Sequence, residues 1–130
     1  MSAEKVTYNL LKNNAALVAM VPVARIFPSL IPLNTAMPAI AYSLVSGVET
    51  TAIGLTTSLK RDRVQVTIAA KSYPDVKSIM ALVIAAMNNK KGTFNGVRVD
   101  SVIKDVFGPD LRDDDAGVFY QSVDFKIDYH

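Results

Sequence analysis

The chain has 130 residues, half of them hydrophobic and a fifth charged, with a formal net charge of +2 and no cysteine. That length fits one domain over residues 1–130 with room for a core, and the composition excludes a disordered chain. The absence of cysteine excludes disulfides and thiolate metal sites, and so small a charge argues against nucleic acid or an acidic membrane as the main partner. The start, Met1 to Lys5, lacks the apolar stretch of a signal peptide. The longest apolar run, Ile79 to Met87, has nine residues against the roughly 20 of a spanning helix. The expected product is therefore soluble and intracellular.

In chain order, Ser2 can cap a first helix that carries Glu4 in its first turn. Ala3, Val6, Leu10 and Leu17 fall near one helical face, and Asn13-Asn14 interrupts the pattern. Asn14 can cap a separate short turn from Ala15 to Met20, so the pattern predicts a helix of about three turns followed by a stub. Pro22, Pro28, Pro32 and Pro38 then crowd one stretch, four of the six prolines in the chain. Each fixes φ and removes a ladder donor, which predicts an extended, irregular segment with Arg25-Ile26-Phe27 as a short edge strand. Its apolar residues, Phe27 and Ile31 among them, predict that it lies against the body or against a neighbouring subunit.

Ala39 to Val45 reads as a strand with Ile40, Tyr42 and Leu44 on one face. Gly47 to Leu59 is rich in Thr, Ser and Gly, and reads either as a long hairpin loop or as an arm that prolongs both flanking strands. From Lys60 the pattern sharpens: Val64, Val66, Ile68 and Ala70 alternate with Arg61, Arg63, Gln65 and Thr67, a strand with one wet face. Ser72-Tyr73-Pro74-Asp75 then supplies a cap, a first-turn proline and an acid, and predicts a helix over Tyr73–Asn89. Val76, Ile79, Met80, Val83 and Met87 form its apolar stripe. Its back carries Ser78, Ala81 and Ala85, which fits either a plain surface helix or one that a second subunit approaches closely.

Asn95-Gly96 is a type I′ hairpin signal, and a strand follows from Val97 to Phe107 with imperfect alternation. Gly108-Pro109 stops it before a polar loop from Asp110 to Gly117. In the last strand Phe119, Val123, Phe125, Ile127 and Tyr129 point one way, against Tyr120, Ser122, Asp124, Lys126 and Asp128.

Little of this supports catalysis. His130 is the lone histidine, which rules out a histidine-based triad or a multi-histidine metal site. Asp113-Asp114-Asp115 lacks the spacing, glycine and distant glutamate of an EF-hand loop, and reads as a solvated tip. Lys60-Arg61-Arg63 and Lys90-Lys91 are basic patches without an aromatic platform, able to touch phosphates or to pair with acids. The expectation is a non-enzyme with no cofactor and no metal.

The order of elements is more informative than any single motif. A helix and stub lead to Arg25-Ile26-Phe27, then to Pro38-Ala39-Ile40-Ala41-Tyr42. A Thr/Ser-rich hairpin leads to Arg63-Val64-Gln65-Val66-Thr67-Ile68 and the capped helix. A strand pair closes the chain through Gly117-Val118-Phe119-Tyr120 to Phe125. This succession resembles the tail-terminator (tail-completion) proteins of long-tailed bacteriophages, over nearly the whole chain. The resemblance implies an α+β fold: an antiparallel sheet of four to five strands with two helices packed on one face, a single layer pair. It implies a virion structural protein, made in the host cytoplasm, that forms a hexameric ring at the head-proximal end of the tail. Such a ring caps the tail tube, ends its polymerisation and offers a docking surface to the head connector. Ser78, Ala81, Ala85, Phe27 and Ile31 are candidate subunit-interface residues, since a ring needs unlike patches meeting head to tail. Thr51, Ile53, Leu55 and Thr57 are candidates for a tube-contacting arm. Lys60, Arg61 and Arg63 are candidates for a basic patch near DNA in transient, non-specific passage through the lumen. Rival readings are another neck, head-closure or minor tail component, and more distantly a small ligand-binding domain.

Overall fold

The computed structural model describes residues 2–32, 34–50 and 59–130. The side chains of Ser2 and Thr50 lie outside the described residues, as do the arm candidates Thr51, Ile53, Leu55 and Thr57. The alternating strand is the axis of the sheet. It is β3 (Leu59–Ala70), held antiparallel between β2 (Ala39–Thr50) and β7 (Val118–Tyr129). Its ladder with β7 runs unbroken from Lys60↔Tyr129 to Ala70↔Phe119. Val64, Val66 and Ile68 are fully buried beside Val123, Phe125 and Ile127, so the two-residue period is realised as a wall of the core.

Among the described residues, three helices cover that wall. α1 (Ser2–Lys12) contributes Val6, Leu10 and Leu11, and α2 (Ala15–Met20) contributes Leu17. α3 (Tyr73–Met87) contributes Val76, Ile79, Met80, Val83 and Met87. Asn14 caps α2 as its position predicts, its Oδ1 accepting the Leu17 N–H at 2.9 Å. Ser72 holds the cap position of α3, with Pro74 and Asp75 in the first turn, although its hydroxyl makes no capping bond. α3 ends at Met87 rather than Asn89. Asn88 is already extended, and Lys90 and Lys91 belong to the next strand.

The sheet departs from the expected four to five antiparallel strands under two helices. Among the described residues it has seven strands and is mixed, in the order β1-β2-β3-β7-β5-β4 with β6 also on β7. Three features account for the difference. β1 (Ile26–Pro28) lies parallel to β2, because the proline segment returns the chain to the same end of the sheet before β2 begins. β4 (Lys90–Phe94) pairs with β5 (Val97–Phe107) across Asn95-Gly96, both with positive φ as a type I′ turn requires. After Gly108-Pro109 the chain resumes pairing with β7 as β6 (Leu111–Asp113), so β5 and β6 form one interrupted edge. Gly108 permits the interruption: its N–H donates to the Ser122 carbonyl at 2.7 Å, and a Cβ there would collide with the Ser122 hydroxyl. The third helix is the stub α2, whose Leu17 is wholly buried.

Candidate assembly surfaces

The sheet face away from the helices is charged and matched. Arg61 donates to Asp128 through both Nε (2.6 Å) and Nη2 (2.9 Å), the paired geometry that suits guanidinium and carboxylate. Arg63 bridges Asp105 and Asp124, Lys126 approaches Asp105 at 3.7 Å, and the Ser101 hydroxyl donates to Asp128 at 3.3 Å. The Arg61 hydrogen bonds hold the Asp128 carboxyl below its ordinary 3.8, and the carboxylate in turn raises the guanidinium. The Arg61 side chain is 57 % exposed, so solvent screens the pair and it adds little to stability. Its effect is on potential: cations and anions alternate across three strands, leaving no row of uncompensated positive charge.

A buried acid sits on the other face. Asp62 occupies a core-side position of β3 and is 8 % exposed. The Tyr129 hydroxyl donates to its Oδ2 at 2.7 Å, and Lys60 Nζ stands 6.0 Å from the Tyr129 ring centroid. Burial, with the bond to Asp62, pushes the Tyr129 hydroxyl well above its ordinary 10.0. Directly across in β2 is Gly47, where a Cβ would strike the Asp62 carboxylate. The base of the β2–β3 hairpin is thus fitted around one buried carboxylate.

At the opposite end of the outer face lies a cleft of about 750 Å³. Ala41, Thr67 and Tyr120 form its floor, residues 29–37 one wall, and Asp113 and Ala116 another. The proline wall is tied down. Arg25 Nη1 donates to the Met37 carbonyl at 3.1 Å, Thr35 donates to the Pro32 carbonyl at 2.6 Å, and the Ser29 N–H donates to the Tyr42 carbonyl at 2.7 Å. A second polar knot secures the broken edge. Lys77 Nζ donates to Asp110 Oδ1 (2.6 Å) and to Gln121 Oε1 (2.7 Å), while Gln121 Nε2 donates to the Gly108 carbonyl at 3.2 Å. The bond from Lys77, then that from the Tyr73 hydroxyl, lowers the Asp110 carboxyl. No group of three acidic or histidine side chains converges to hold a metal among the described residues. No helix there is long and apolar enough to cross a membrane.

The model of the family "Tail completion protein gp17" matches residues 6–130. The chain belongs to the tail completion protein gp17 family. A solved chain titled "Virion of native gene transfer agent (GTA) particle" shares its fold, with TM-score 0.72 and 17 % identity over 95 % of this chain and 91 % of that one. A second solved chain has TM-score 0.61 and 12 % identity, over 100 % of this chain and 96 % of that one. No curated protein matches the chain. Family membership makes it a tail structural protein of phage-like virions.

In this tail completion protein the residues singled out from sequence lie apart. Ser78, Ala81 and Ala85 are exposed on the back of α3. Phe27 is half-buried on the edge strand β1, and Ile31 is half-buried in the proline wall. Lys60, Arg61 and Arg63 divide between the two faces, with the arginines engaged by aspartates and Lys60 over Tyr129. Sequence reasoning missed the exposed apolar side chains along the sheet edges: Leu44, Val45 and Val48 on β2, and Ile103, Val106, Phe107 and Leu111 on β5 and β6. The broken alternation from Val97 to Phe107 was the available signal for the second group. Asp62, a lone acid in the apolar phase of β3, was the signal for the buried carboxylate.

Proposed function

We propose that this protein completes the phage tail as a ring of identical copies seated on the head-proximal end of the tail tube. There it stops further addition of tube subunits and presents its other side to the head connector. The observation that carries this reading is the family match over residues 6–130, and the fold shared with a virion chain supports it. The task is geometric: the surface carries matched ion pairs and apolar edges, and the family is one of virion structural parts. In this reading the backs of α3 at Ser78, Ala81 and Ala85 and the Phe27–Ile31 region are buried between copies. Thr51, Ile53, Leu55 and Thr57 belong to the part that reaches the tube. The compensated Arg61–Asp128 and Arg63–Asp105 face suits a wall past which DNA moves without being held, because each uncompensated phosphate contact adds affinity.

The test is electron microscopy of particles made without this protein. Tails of irregular, excessive length that fail to join heads are the expected outcome, and restoring the protein in trans restores fixed-length tails. Fixed-length, uncapped tails would remove the terminator role. Labelled protein found at the head side of the joint, away from the tube end, would replace it with a head-closure role.

A further inference from the structure

We propose that the unpaired edge of β2, from Ser43 to Thr50, takes the β5–β6 edge of a second copy of this chain, so that neighbouring sheets join edge to edge. The inference deepens the ring reading above and rests on it. β1 covers β2 only through Ile26↔Ile40 to Pro28↔Tyr42, and no other described strand flanks β2 on that side. The Tyr42 carbonyl points to the β1 side, since it accepts the Ser29 N–H. Backbone groups alternate in direction along a strand, so the Leu44 N–H and carbonyl point the same way, into the uncovered edge. Such a row of donors and acceptors is matched only by another extended backbone.

The complementary row lies on the far side of the same sheet. β4 pairs with β5 no further than Lys90↔Val102, and the Asn88 Oδ1 accepts the Lys104 N–H at 3.0 Å; past Lys104 no described strand flanks β5 on that side, and β6 continues the edge. Both edges expose large apolar side chains beside their charges, which are Glu49 on β2 and Lys104, Asp105, Arg112 and Asp113 on β5 and β6. Of the twelve large hydrophobic side chains exposed among the described residues, seven lie on β2 or on β5 and β6, including Val48 at 64 %, Phe107 at 47 % and Leu111 at 58 %. Each edge also carries a bulge, at Leu44/Ser46 and at Lys104/Phe107, which bends the edge and limits the registers it accepts. The two edges differ from each other and sit on opposite sides of the β3–β7 centre. Joining one to the other repeats a single rotation from copy to copy, as a closed ring requires. Two identical edges meeting would instead close a dimer and stop.

The experiment uses the full chain on purified tail tubes, and exploits the absence of native cysteine. Four double variants combine Leu44→Cys or Val48→Cys with Val106→Cys or Leu111→Cys, and are oxidised after assembly. At least one is expected to give a ladder of disulfide-linked multimers on a non-reducing gel, where each single variant gives at most a dimer. A companion variant, Leu44→Pro, removes one outward N–H without touching the β3 ladder; it is expected to keep the wild-type melting temperature within a few degrees and to lose assembly at least tenfold. If Leu44→Pro does not fold, the Leu44→Lys/Val48→Lys variant takes its place with the same expectation. Assembled wild-type protein with no ladder from any of the four pairs, or normal assembly by the folded edge variant, overturns the edge junction and leaves the tail-completion reading standing. Wild-type protein that neither binds tubes nor forms multimers overturns both.

Discussion

The centre and the edges of the sheet are built to different rules. Along β3 and β7 every position from Lys60 to Ala70 has a partner, and the core-side residues beneath are nearly all sealed from water. Along β2 beyond Tyr42, and along β5 and β6, pairing is broken by bulges, and large aliphatic side chains face solvent. The centre spends its apolar surface on folding the single chain, whereas the edges hold theirs in reserve. Substitutions at the centre should therefore be read in stability, and substitutions at the edges in assembly.

The largest expected effect is at the centre. Phe125→Ala removes a fully buried ring of β7 from the core between the sheet and the helices, and should lower unfolding free energy by about 3–5 kcal/mol in urea titrations. A loss below about 1 kcal/mol would mean that the centre is not the stability core proposed here. Next comes the buried carboxylate. Tyr129→Phe leaves Asp62 without its hydroxyl donor and should cost about 1–3 kcal/mol, part of which Asp62→Asn in the same chain recovers. The same pair sets an alkaline limit. The folded protein keeps a tyrosine proton that the unfolded chain releases near 10.0, so stability falls as pH rises above that value. Tyr129→Phe should flatten that decline in a melting-temperature series.

On the acid side the sign reverses. The Asp128 carboxyl titrates below 3.8 when folded, so its contribution is present above that value and is lost as pH falls through the lower folded value. Asp128→Asn should remove that part of the acid sensitivity at a cost of no more than about 1 kcal/mol near neutrality. The smallest stability change belongs to the edge: Val48→Lys, on a side chain already 64 % exposed, should stay within about 0.5 kcal/mol of wild type. A larger loss would blur the contrast, showing that this edge also supports the fold of the single chain.

Much of the architecture was legible because it is local. Alternation in β3 and β7, the Asn95-Gly96 turn, the Asn14 cap and the apolar stripe of α3 each depend on residues within a few positions of one another, and each formed as read. Of the Thr- and Ser-rich stretch, residues 47–50 prolong β2 and Leu59 opens β3, while residues 51–58 lie outside the described residues. The succession of elements was enough to suggest the family to which the chain belongs. What stayed hidden was the company each strand keeps. Three residues of β1 carry no period from which a parallel pairing could be read, and β6 is recognisable only by the strand it joins. Arg61 and Arg63 look like a free basic patch until residues 42 to 67 positions away along the chain supply their aspartates. The sequence alone thus determined where the chain is extended, where it coils and which side of each element is greasy, because those follow from neighbouring side chains and backbone preferences. Only the tertiary structure decided strand order, charge matching and which edges stay open, because these depend on contacts between distant segments whose chance of meeting no local pattern encodes.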